Sequence, residues 1–197
     1  MIDIDTLLAW GASFKKIAAG EVIFHEETSS RYYYQLVSGS LRWVNIYDDG
    51  REFLQGIISP GESFGELPLF DNEKYAASAI ADSDSVIIRL YKPLFIELIK
   101  KNPDIHFAFS RLLAERLRFK FLLLKEMANH NPEQNISSLL DYFKVTKKNM
   151  SIGCNRVNLT RQQIADMTGM RVETVIRAIR ALQEKGRLVI DKGKVYC

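Results

Sequence analysis

Two charged side chains near the end of the chain have the types and the spacing needed to read DNA bases. Glu173 and Arg177 stand four residues apart within residues 171–184, where apolar residues recur at helical spacing. Positions four apart share one face of a helix. An arginine fork matches O6 and N7 of guanine, and a glutamate accepts from N4 of cytosine. The alternative is an ordinary Glu–Arg pair on a helix surface, which stabilises the helix only slightly.

The residues before this segment predict a helix-turn-helix that would position the pair. Thr160, with a glutamine three residues later, has the form of a capping box and starts a first helix. Ala165 is small where two helices would cross, and Gly169 tolerates the positive φ of a tight turn. In this motif the second helix enters the major groove. The context therefore favours base reading over a surface ion pair.

The candidate DNA contacts are polar side chains of the two helices and of a hairpin predicted over residues 188–196, which would form a wing. They are Thr160, Arg161, Gln162, Arg171, Glu173, Thr174, Arg177, Arg180 and Lys192. Lys185 and Arg187 are expected to add phosphate contacts, which carry affinity but no sequence information. Residues 144–197 hold 12 Lys and Arg against 4 Asp and Glu, a charge of +8, whereas the rest of the chain carries −5. This asymmetry indicates a polyanion at one end, and a solvated basic face is the alternative.

A second candidate site lies in residues 65–79, GELPLFDNEKYAASA, which have the form of a turn and short helix that could hold a phosphate. Backbone N–H groups at a helix N-terminus favour an anion. The candidate effector-pocket residues are Gly65, Glu66, Leu67, Lys74, Tyr75 and Ala76. Lys74 is a flexible point charge without the fork of an arginine.

The elements that must position these sites can be predicted from the pattern of apolar residues and turns. Short segments rich in β-branched and aromatic residues, separated by turn signals, predict an antiparallel barrel or sandwich. These candidate strands are residues 21–24, 32–37, 41–47, 53–58 and 86–90. Short helices are predicted over residues 92–101 and 136–143.

Residues 105–128 contain no Pro or Gly and predict a long helix that is too apolar all round for an ordinary surface helix. We expect one face to pack on the barrel and another on a second copy of the chain; a fully buried helix within one chain is the alternative. The candidate dimerisation residues are Leu113, Leu117, Lys120, Leu124 and Met127. The polar break at residues 129–132 is the expected domain boundary.

Composition excludes several classes of function. The 197 residues include no apolar run of about 18, and the acidic N-terminus lacks the features of a signal peptide, so we expect a cytoplasmic protein with no membrane partner. Cys154 and Cys197 are expected to be reduced thiols, and three scattered histidines give no metal-ligand spacing. With no nucleophile–base pair and no phosphate-binding P-loop, we expect neither a metal site nor an enzyme.

The order of barrel, long helix and winged helix-turn-helix resembles the cAMP receptor protein / fumarate-nitrate regulator family of bacterial transcription factors. The stretches that carry the resemblance are Gly39, residues 49–50, residues 60–66 (PGESFGE), residues 159–165 (LTRQQIA) and residues 172–177 (VETVIR). The resemblance implies an α+β fold with a cyclic-nucleotide-binding-like jelly-roll barrel. It also implies a homodimer on a pseudo-palindromic, double-stranded DNA operator, with RNA polymerase as a further partner. The expected domains are residues 1–103 (sensor), 104–131 (dimerisation helix and hinge) and 132–197 (DNA binding).

The resemblance also shows what the loop has lost. In cyclic-nucleotide-binding members it supplies backbone N–H groups, a glutamate for the ribose and an Arg-Ser pair for the cyclic phosphate. Gly65 and Glu66 match, but two registers place either Tyr75 and Ala76, or Ala76 and Ala77, at the Arg-Ser pair. Loss of a charge-assisted bidentate contact costs about 1.5–3 kcal/mol. We therefore expect no cAMP binding in the usual mode, and the cofactor stays unknown, either a different, less anionic effector or none.

Other branches of the family set further expectations. The oxygen-sensing branch uses a cysteine cluster for iron and sulfur, which two distant cysteines do not supply. The haem-sensing branch needs an axial Cys or His, for which His25 is the nominal candidate. Val172 matches the fumarate-nitrate type, which reads TTGAT, whereas Ile176 replaces that type's serine and leaves the outer positions of the half-site open. The alternative function is a ligand-binding regulatory module that acts through protein partners.

Overall fold

The computed structural model describes residues 1–151 and 153–197 and divides into two units, Met1–Ala114 and Glu115–Cys197. The first unit is mainly β-structure, and α4 (Pro103–Asn129) begins in it and ends in the second. Its other elements are α1 (Ile4–Ala9), β1 (Ser13–Ile17), β2 (Val22–Phe24), β3 (Tyr32–Ser38), β4 (Leu41–Ile46), β5 (Glu52–Ile58), β6 (Ser63–Phe64), α2 (Leu67–Asp71), β7 (Ser78–Ala81), β8 (Ser85–Tyr91) and α3 (Lys92–Lys101).

The strands of the first unit form two antiparallel sheets, in the orders β1-β8-β3-β6 and β2-β7-β4-β5. Strands that are distant in sequence are neighbours in both sheets, as in a jelly roll. Within the first sheet Tyr34 of β3 lies opposite both Phe64 of β6 and Arg89 of β8. The predicted α+β class, with an antiparallel barrel before a long helix, is confirmed.

The interior of the barrel is filled by side chains from all eight strands, which we call the barrel core. Its buried members are Ile17, Phe24, Tyr34, Leu36, Leu41, Ile58, Phe64, Tyr75, Ala79, Ala81 and Ile87. A separate cluster on the outside of the first sheet includes Tyr33 of β3, Phe95 of α3 and Phe109 of α4. The helices of this unit are therefore held by the outer cluster, and the interior is reserved for the barrel core.

The second unit holds the predicted winged helix-turn-helix. Its elements after α4 are α5 (Pro132–Thr146), α6 (Arg161–Thr168), α7 (Val172–Glu184), β9 (Val189–Asp191) and β10 (Lys194–Tyr196). The strands β9 and β10 pair antiparallel through Lys192 and Gly193, whose φ angles of 44° and 76° suit a type I′ hairpin turn. The predicted helix pair and wing are confirmed.

The short helix predicted over residues 136–143 is wrong in its bounds. The helix α5 begins at Pro132, because the Asn131 side chain accepts a hydrogen bond from the backbone N–H of Gln134 at 3.2 Å and caps the first turn. Proline at the first helical position loses no intrahelical bond. The helix ends only at Thr146, after which Lys147 adopts a left-handed conformation.

Candidate nucleic-acid interface and effector pocket

Thr160 fixes the start of the first helix of the motif. Its Oγ1 accepts from the backbone N–H of Gln163 at 3.0 Å, and its own N–H donates to Gln163 Oε1 at 2.9 Å. Both halves of the predicted capping box are therefore present. Gly169, with φ of 69°, ends α6 as predicted and turns the chain towards α7.

The charged pair on α7 is exposed and available to DNA. The buried face of this helix carries only apolar side chains, namely Val175, Ala178, Ile179 and Leu182. On the other face Arg177 Nε donates to the backbone carbonyl of Glu173 at 3.4 Å, and in the described part of the chain no ion pair joins the two side chains. Arg180 follows one turn later and is also exposed. The ordinary surface ion pair considered from the sequence is therefore not formed.

The remaining candidate DNA contacts differ in their exposure and in their hydrogen bonding. Arg171 is exposed at the N-cap of α7, and Thr174 is half-buried in its first turn. Gln162 Nε2 donates to Asp166 Oδ1 at 2.7 Å, so its amide is already engaged. Lys192 stands exposed at the tip of the wing.

The start of α6 and the wing border an open groove of about 520 Å³. Arg161 crosses it and donates from Nη2 to the carbonyl of Gly193 at 3.4 Å. Burial lowers the pKa of Arg161, although a guanidinium stays charged at any working pH. The groove is lined by Arg156, Val157, Asn158, Leu159, Thr160, Arg161, Gly193, Lys194 and Val195. Three cations along its walls make it suited to a phosphate backbone.

Lys185 and Arg187, expected from the sequence to contact phosphates, are paired with acids of α5. The ammonium of Lys185 forms a salt bridge with Glu133. Arg187 lies 3.7 Å from an Asp141 carboxylate oxygen and donates to the Ser137 hydroxyl at 3.4 Å. Because these two cations already have partners, we leave them out of the interface.

Tyr75, one of the predicted pocket residues, occupies the interior of the barrel. Its side chain is 2 % exposed, and its ring stacks on Phe24 with centroids 3.8 Å apart and planes 10° apart. The ring of Phe24 also contacts those of Tyr34 and Phe64, with centroid distances of 5.7 and 6.0 Å. Burial raises the pKa of the Tyr75 phenol, which therefore stays neutral. Stacked aromatic rings therefore fill this part of the barrel.

The turn before α2 leaves no room beside these rings. Gly65 has φ of 66°, and a Cβ added there would stand 2.6 Å from Phe24 Cζ and 3.0 Å from Tyr75 Cε1. Glu66, which follows it, is fully buried. The glycine is therefore required by both backbone and packing. Of the predicted pocket residues, Gly65 and Tyr75 therefore lie against each other, and Glu66 is buried next to Gly65 in the chain.

The other three predicted pocket residues point elsewhere. Lys74 is exposed, and its ammonium lies 3.4 Å from the carboxylate of Glu27. Ala76 is exposed, and its carbonyl accepts from Asn45 Nδ2 at 2.8 Å. Leu67 is 38 % exposed in the first turn of α2. Lys74 thus forms a salt bridge at the surface, outside the barrel core.

A stripe of large apolar side chains along α4 is exposed to solvent. Leu117, Phe121 and Leu124 are 55 %, 61 % and 61 % exposed and recur at intervals of four and three residues. Met127, 42 % exposed, extends the stripe. This spacing of four and three residues is the one that apolar residues have in a coiled-coil heptad repeat. Three of the five predicted dimerisation residues lie on the stripe, and Phe121 joins them.

The other two predicted dimerisation residues, Leu113 and Lys120, are partly buried within the chain. The Lys120 ammonium lies 5.8 Å from the centroid of the Phe119 ring. Burial, and secondarily the charge of Arg116, lower the pKa of Lys120 to about 8. Lys120 therefore borders the stripe rather than forming part of its exposed centre.

Within the described ranges, no cluster of three His, Cys, Asp or Glu side chains could hold a metal. Cys154 and Cys197 are free thiols. No helix in those ranges is long and apolar enough to cross a membrane.

Two domain models match this chain, and between them they cover both units. The cyclic nucleotide-binding domain matches residues 14–102, and the Crp-like helix-turn-helix domain matches residues 136–196. The chain belongs to the cAMP receptor protein / fumarate-nitrate regulator family, whose members are transcription regulators with a helix-turn-helix DNA-binding domain.

Individual relatives agree over most of their length. The chain is 29 % identical to the cAMP-activated global transcriptional regulator CRP of Pasteurella multocida, covering 97 % of this chain and 93 % of that one. It is 27 % identical to the cyclic AMP receptor protein of Thermus thermophilus, covering 89 % and 79 %. A lysophospholipase NTE1 of Chaetomium globosum also matches, but over 11 % of that enzyme's length.

Solved structures support the fold. The c-di-GMP-responsive regulator CLP of Xanthomonas campestris superposes with a TM-score of 0.77 at 21 % identity, covering 98 % of this chain and 96 % of that one. FixK2 of Bradyrhizobium japonicum also gives 0.77, at 20 % identity and coverage of 94 % and 91 %. At these identities the likeness establishes the architecture alone.

The sequence analysis missed three residues that the structure brings to these sites. Phe24 is the stacking partner of Tyr75, and no local pattern could have paired residues so distant. Phe121 was detectable, because it falls between Leu117 and Leu124 at heptad spacing. Arg156, on the wall of the wing groove, belongs to the basic segment but to no motif.

Proposed function

We propose that this chain is a homodimeric, sequence-specific DNA-binding regulator whose barrel does not bind cyclic nucleotide in the family's usual way. The observation that carries the proposal is the exposed face of α7. Glu173, Arg177 and Arg180 stand there without ion-pair partners among the described residues, inside a segment of net charge +8. Uncompensated cations beside a base-reading pair favour a DNA groove.

The proposed dimer forms through the apolar stripe of α4. Burying Leu117, Phe121 and Leu124 against a second copy removes their apolar surface from water, at about 25 cal/mol for each Å². A twofold dimer would present two α7 helices to a pseudo-palindrome, with half-sites about 34 Å apart. TTGAT is the half-site we propose, on the basis of Val172.

The proposed loss of cyclic nucleotide binding follows from the barrel core. The guanidinium that would hold the phosphate is absent, and the ring of Tyr75 fills the interior against Phe24. Lys74, the cation of the predicted loop, forms a salt bridge with Glu27 at the surface and does not face the barrel core. Desolvating an anion without a cationic partner is costly.

The alternative function, a module acting through protein partners, is favoured by no feature of the second unit. In such a module the helix-turn-helix would serve only for packing, and the exposed charges on α7 that have no ion-pair partner would have no role. We further propose RNA polymerase as a partner on DNA, by analogy with the transcription regulators among the relatives.

The proposal is tested by operator binding of Arg177→Glu, measured by fluorescence anisotropy on a TTGAT-N4-ATCAA duplex. We expect at least a hundredfold loss, since a base contact worth about 1–3 kcal/mol is replaced by repulsion from phosphates. Arg187→Glu is the matched control and should lose far less, because Arg187 is engaged with Asp141. Equal affinities for the wild type and Arg177→Glu would show that the assigned face is wrong.

A further inference from the structure

A guanidinium on the inner face of the barrel has no hydrogen-bond acceptor among the described residues. In the described part of the protein, Arg89 forms no ion pair, and its Nε is shielded from solvent without a hydrogen-bond partner. Its contact is with the ring of Tyr32, whose centroid lies 4.9 Å from the guanidinium carbon. A shielded N–H without an acceptor is costly, so a ligand that supplies an acceptor is favoured there.

The sheet register places Arg89 at the mouth of the barrel. Residues two apart along a strand share a face, so Arg89 lies on the same face of β8 as Ile87 and Tyr91. Ile87 is fully buried in the barrel core, and Tyr91 is 52 % exposed. Arg89, half-buried between them, is thus reached from solvent at the end where β8 stops.

The strand partners of Arg89 are uncharged, Ser13 on β1 and Tyr34 on β3. Tyr34, directly opposite on β3, is 8 % exposed. Burial raises the pKa of its phenol, although the charge of Arg89 opposes this shift, so the hydroxyl keeps its proton. Tyr32 and Tyr91 meet edge to face with centroids 6.0 Å apart. One unopposed cation, a phenol and two rings at the surface form a site for a flat anion.

We propose that Arg89 binds the carboxylate of a small, flat organic acid at the mouth of the barrel. A carboxylate accepts both N–H groups of a guanidinium edge, whereas a phosphate dianion calls for more than the single positive charge present. The apolar body of the acid packs beside Tyr32 and Tyr91. Arg89 is on β8 and is not among the residues of the loop predicted to hold a nucleotide phosphate.

The first test is isothermal calorimetry of the full chain with benzoate, acetate and inorganic phosphate, without DNA. We expect saturable binding in the order benzoate, acetate, phosphate. Arg89→Gln should weaken benzoate about ten- to a hundredfold, as expected for loss of a charge-assisted bidentate contact. Arg89→Lys should retain part of the affinity, because it keeps the charge without the fork.

Arg51→Gln is the matched control. Arg51 also stands over a tyrosine ring, 5.5 Å from the centroid of Tyr47, but it is exposed and bound to Asp49 at 2.7 Å. Its replacement should leave benzoate affinity unchanged. The proposal is overturned if no probe binds saturably, if phosphate binds more tightly than benzoate, or if Arg89→Gln binds as the wild type does. These outcomes are independent of whether the protein binds DNA.

A second measurement tests the same claim through the free protein. If Arg89 is kept for a ligand, its unsatisfied N–H destabilises the unliganded barrel, and Arg89→Met should raise the thermal midpoint. Benzoate should raise the midpoint of the wild type and not that of Arg89→Met. A lowered midpoint in Arg89→Met would instead assign Arg89 a structural role and contradict the proposal.

Discussion

Tyr75 determines what the barrel interior can hold. Its ring stacks on Phe24, and the Gly65 turn lies so close to both rings that a Cβ at Gly65 would clash with Phe24 and press on Tyr75. An arginine at this position would have to bury a charge among aromatic rings, which is unfavourable without a partner. With tyrosine at position 75 the interior is stabilised by ring stacking, whereas an arginine there would need a bound anion to balance its charge.

We expect Tyr75→Ala to lower the free energy of unfolding by about 3 kcal/mol or more, because it removes a buried ring and leaves a cavity. Tyr47→Ala, at a position 53 % exposed, should change it by no more than about 0.5 kcal/mol. Urea denaturation of both variants measures the difference. Similar losses in the two variants would mean that Tyr75 does not support the barrel core.

Lys120 makes stability depend on pH in a defined direction. Its pKa falls from the ordinary 10.5 to about 8 on folding, so between these values the unfolded chain binds more protons than the folded one. Stability from this group should therefore rise as pH increases through that window. Lys120→Met should lose this part of the rise, as measured by denaturation across the window. Parallel pH profiles for wild type and variant would contradict the assigned environment.

At the scale of elements, α4 carries the proposed assembly. Leu124→Glu should convert the dimer to a monomer, because it places a charge within the apolar seam. Val145→Glu is the control, since Val145 is 83 % exposed on α5 and lies outside the stripe. Sedimentation velocity measures both. A Leu124→Glu variant that stays dimeric, with unchanged secondary structure, would exclude this face as the interface.

The elements also show which parts of the fold a sequence can predict. Long or capped elements, such as α4 and α6, have strong periodic and capping signals. Three strands were missed: β1, Ser13–Ile17, is an edge strand with two lysines, β6 is only Ser63–Phe64, and β7, Ser78–Ala81, is buried throughout and rich in small residues. The start of α5 could have been predicted, because the Asn-Pro pair at 131–132 is a helix start signal.

How well each candidate site can be predicted from the sequence depends on whether its residues are close together in the chain. The DNA-reading face depends on helical spacing, so Glu173 and Arg177 could be placed together from the sequence. The effector pocket depends on contacts between strands distant in the chain. The stacking of Tyr75 on Phe24, and the position of Arg89 opposite Tyr34, are set by sheet pairing that no local pattern encodes.

The two units of the molecule differ in the side chains that they offer to a ligand. The first unit has an interior filled by its own apolar and aromatic side chains. The second has an exposed basic face and a groove lined by Arg156, Arg161 and Lys194. The central claim is that sequence-specific DNA binding has been kept while dependence on cAMP has been lost.

The most direct test of this claim is fluorescence anisotropy of the full chain on the TTGAT-N4-ATCAA duplex and a scrambled duplex at one fixed salt concentration, with and without excess cAMP. We predict tighter binding to the palindrome than to the scrambled duplex, with the same affinity in both cAMP conditions, because no guanidinium stands in the loop to hold the cyclic phosphate. Specific binding that appears only with cAMP would contradict the account.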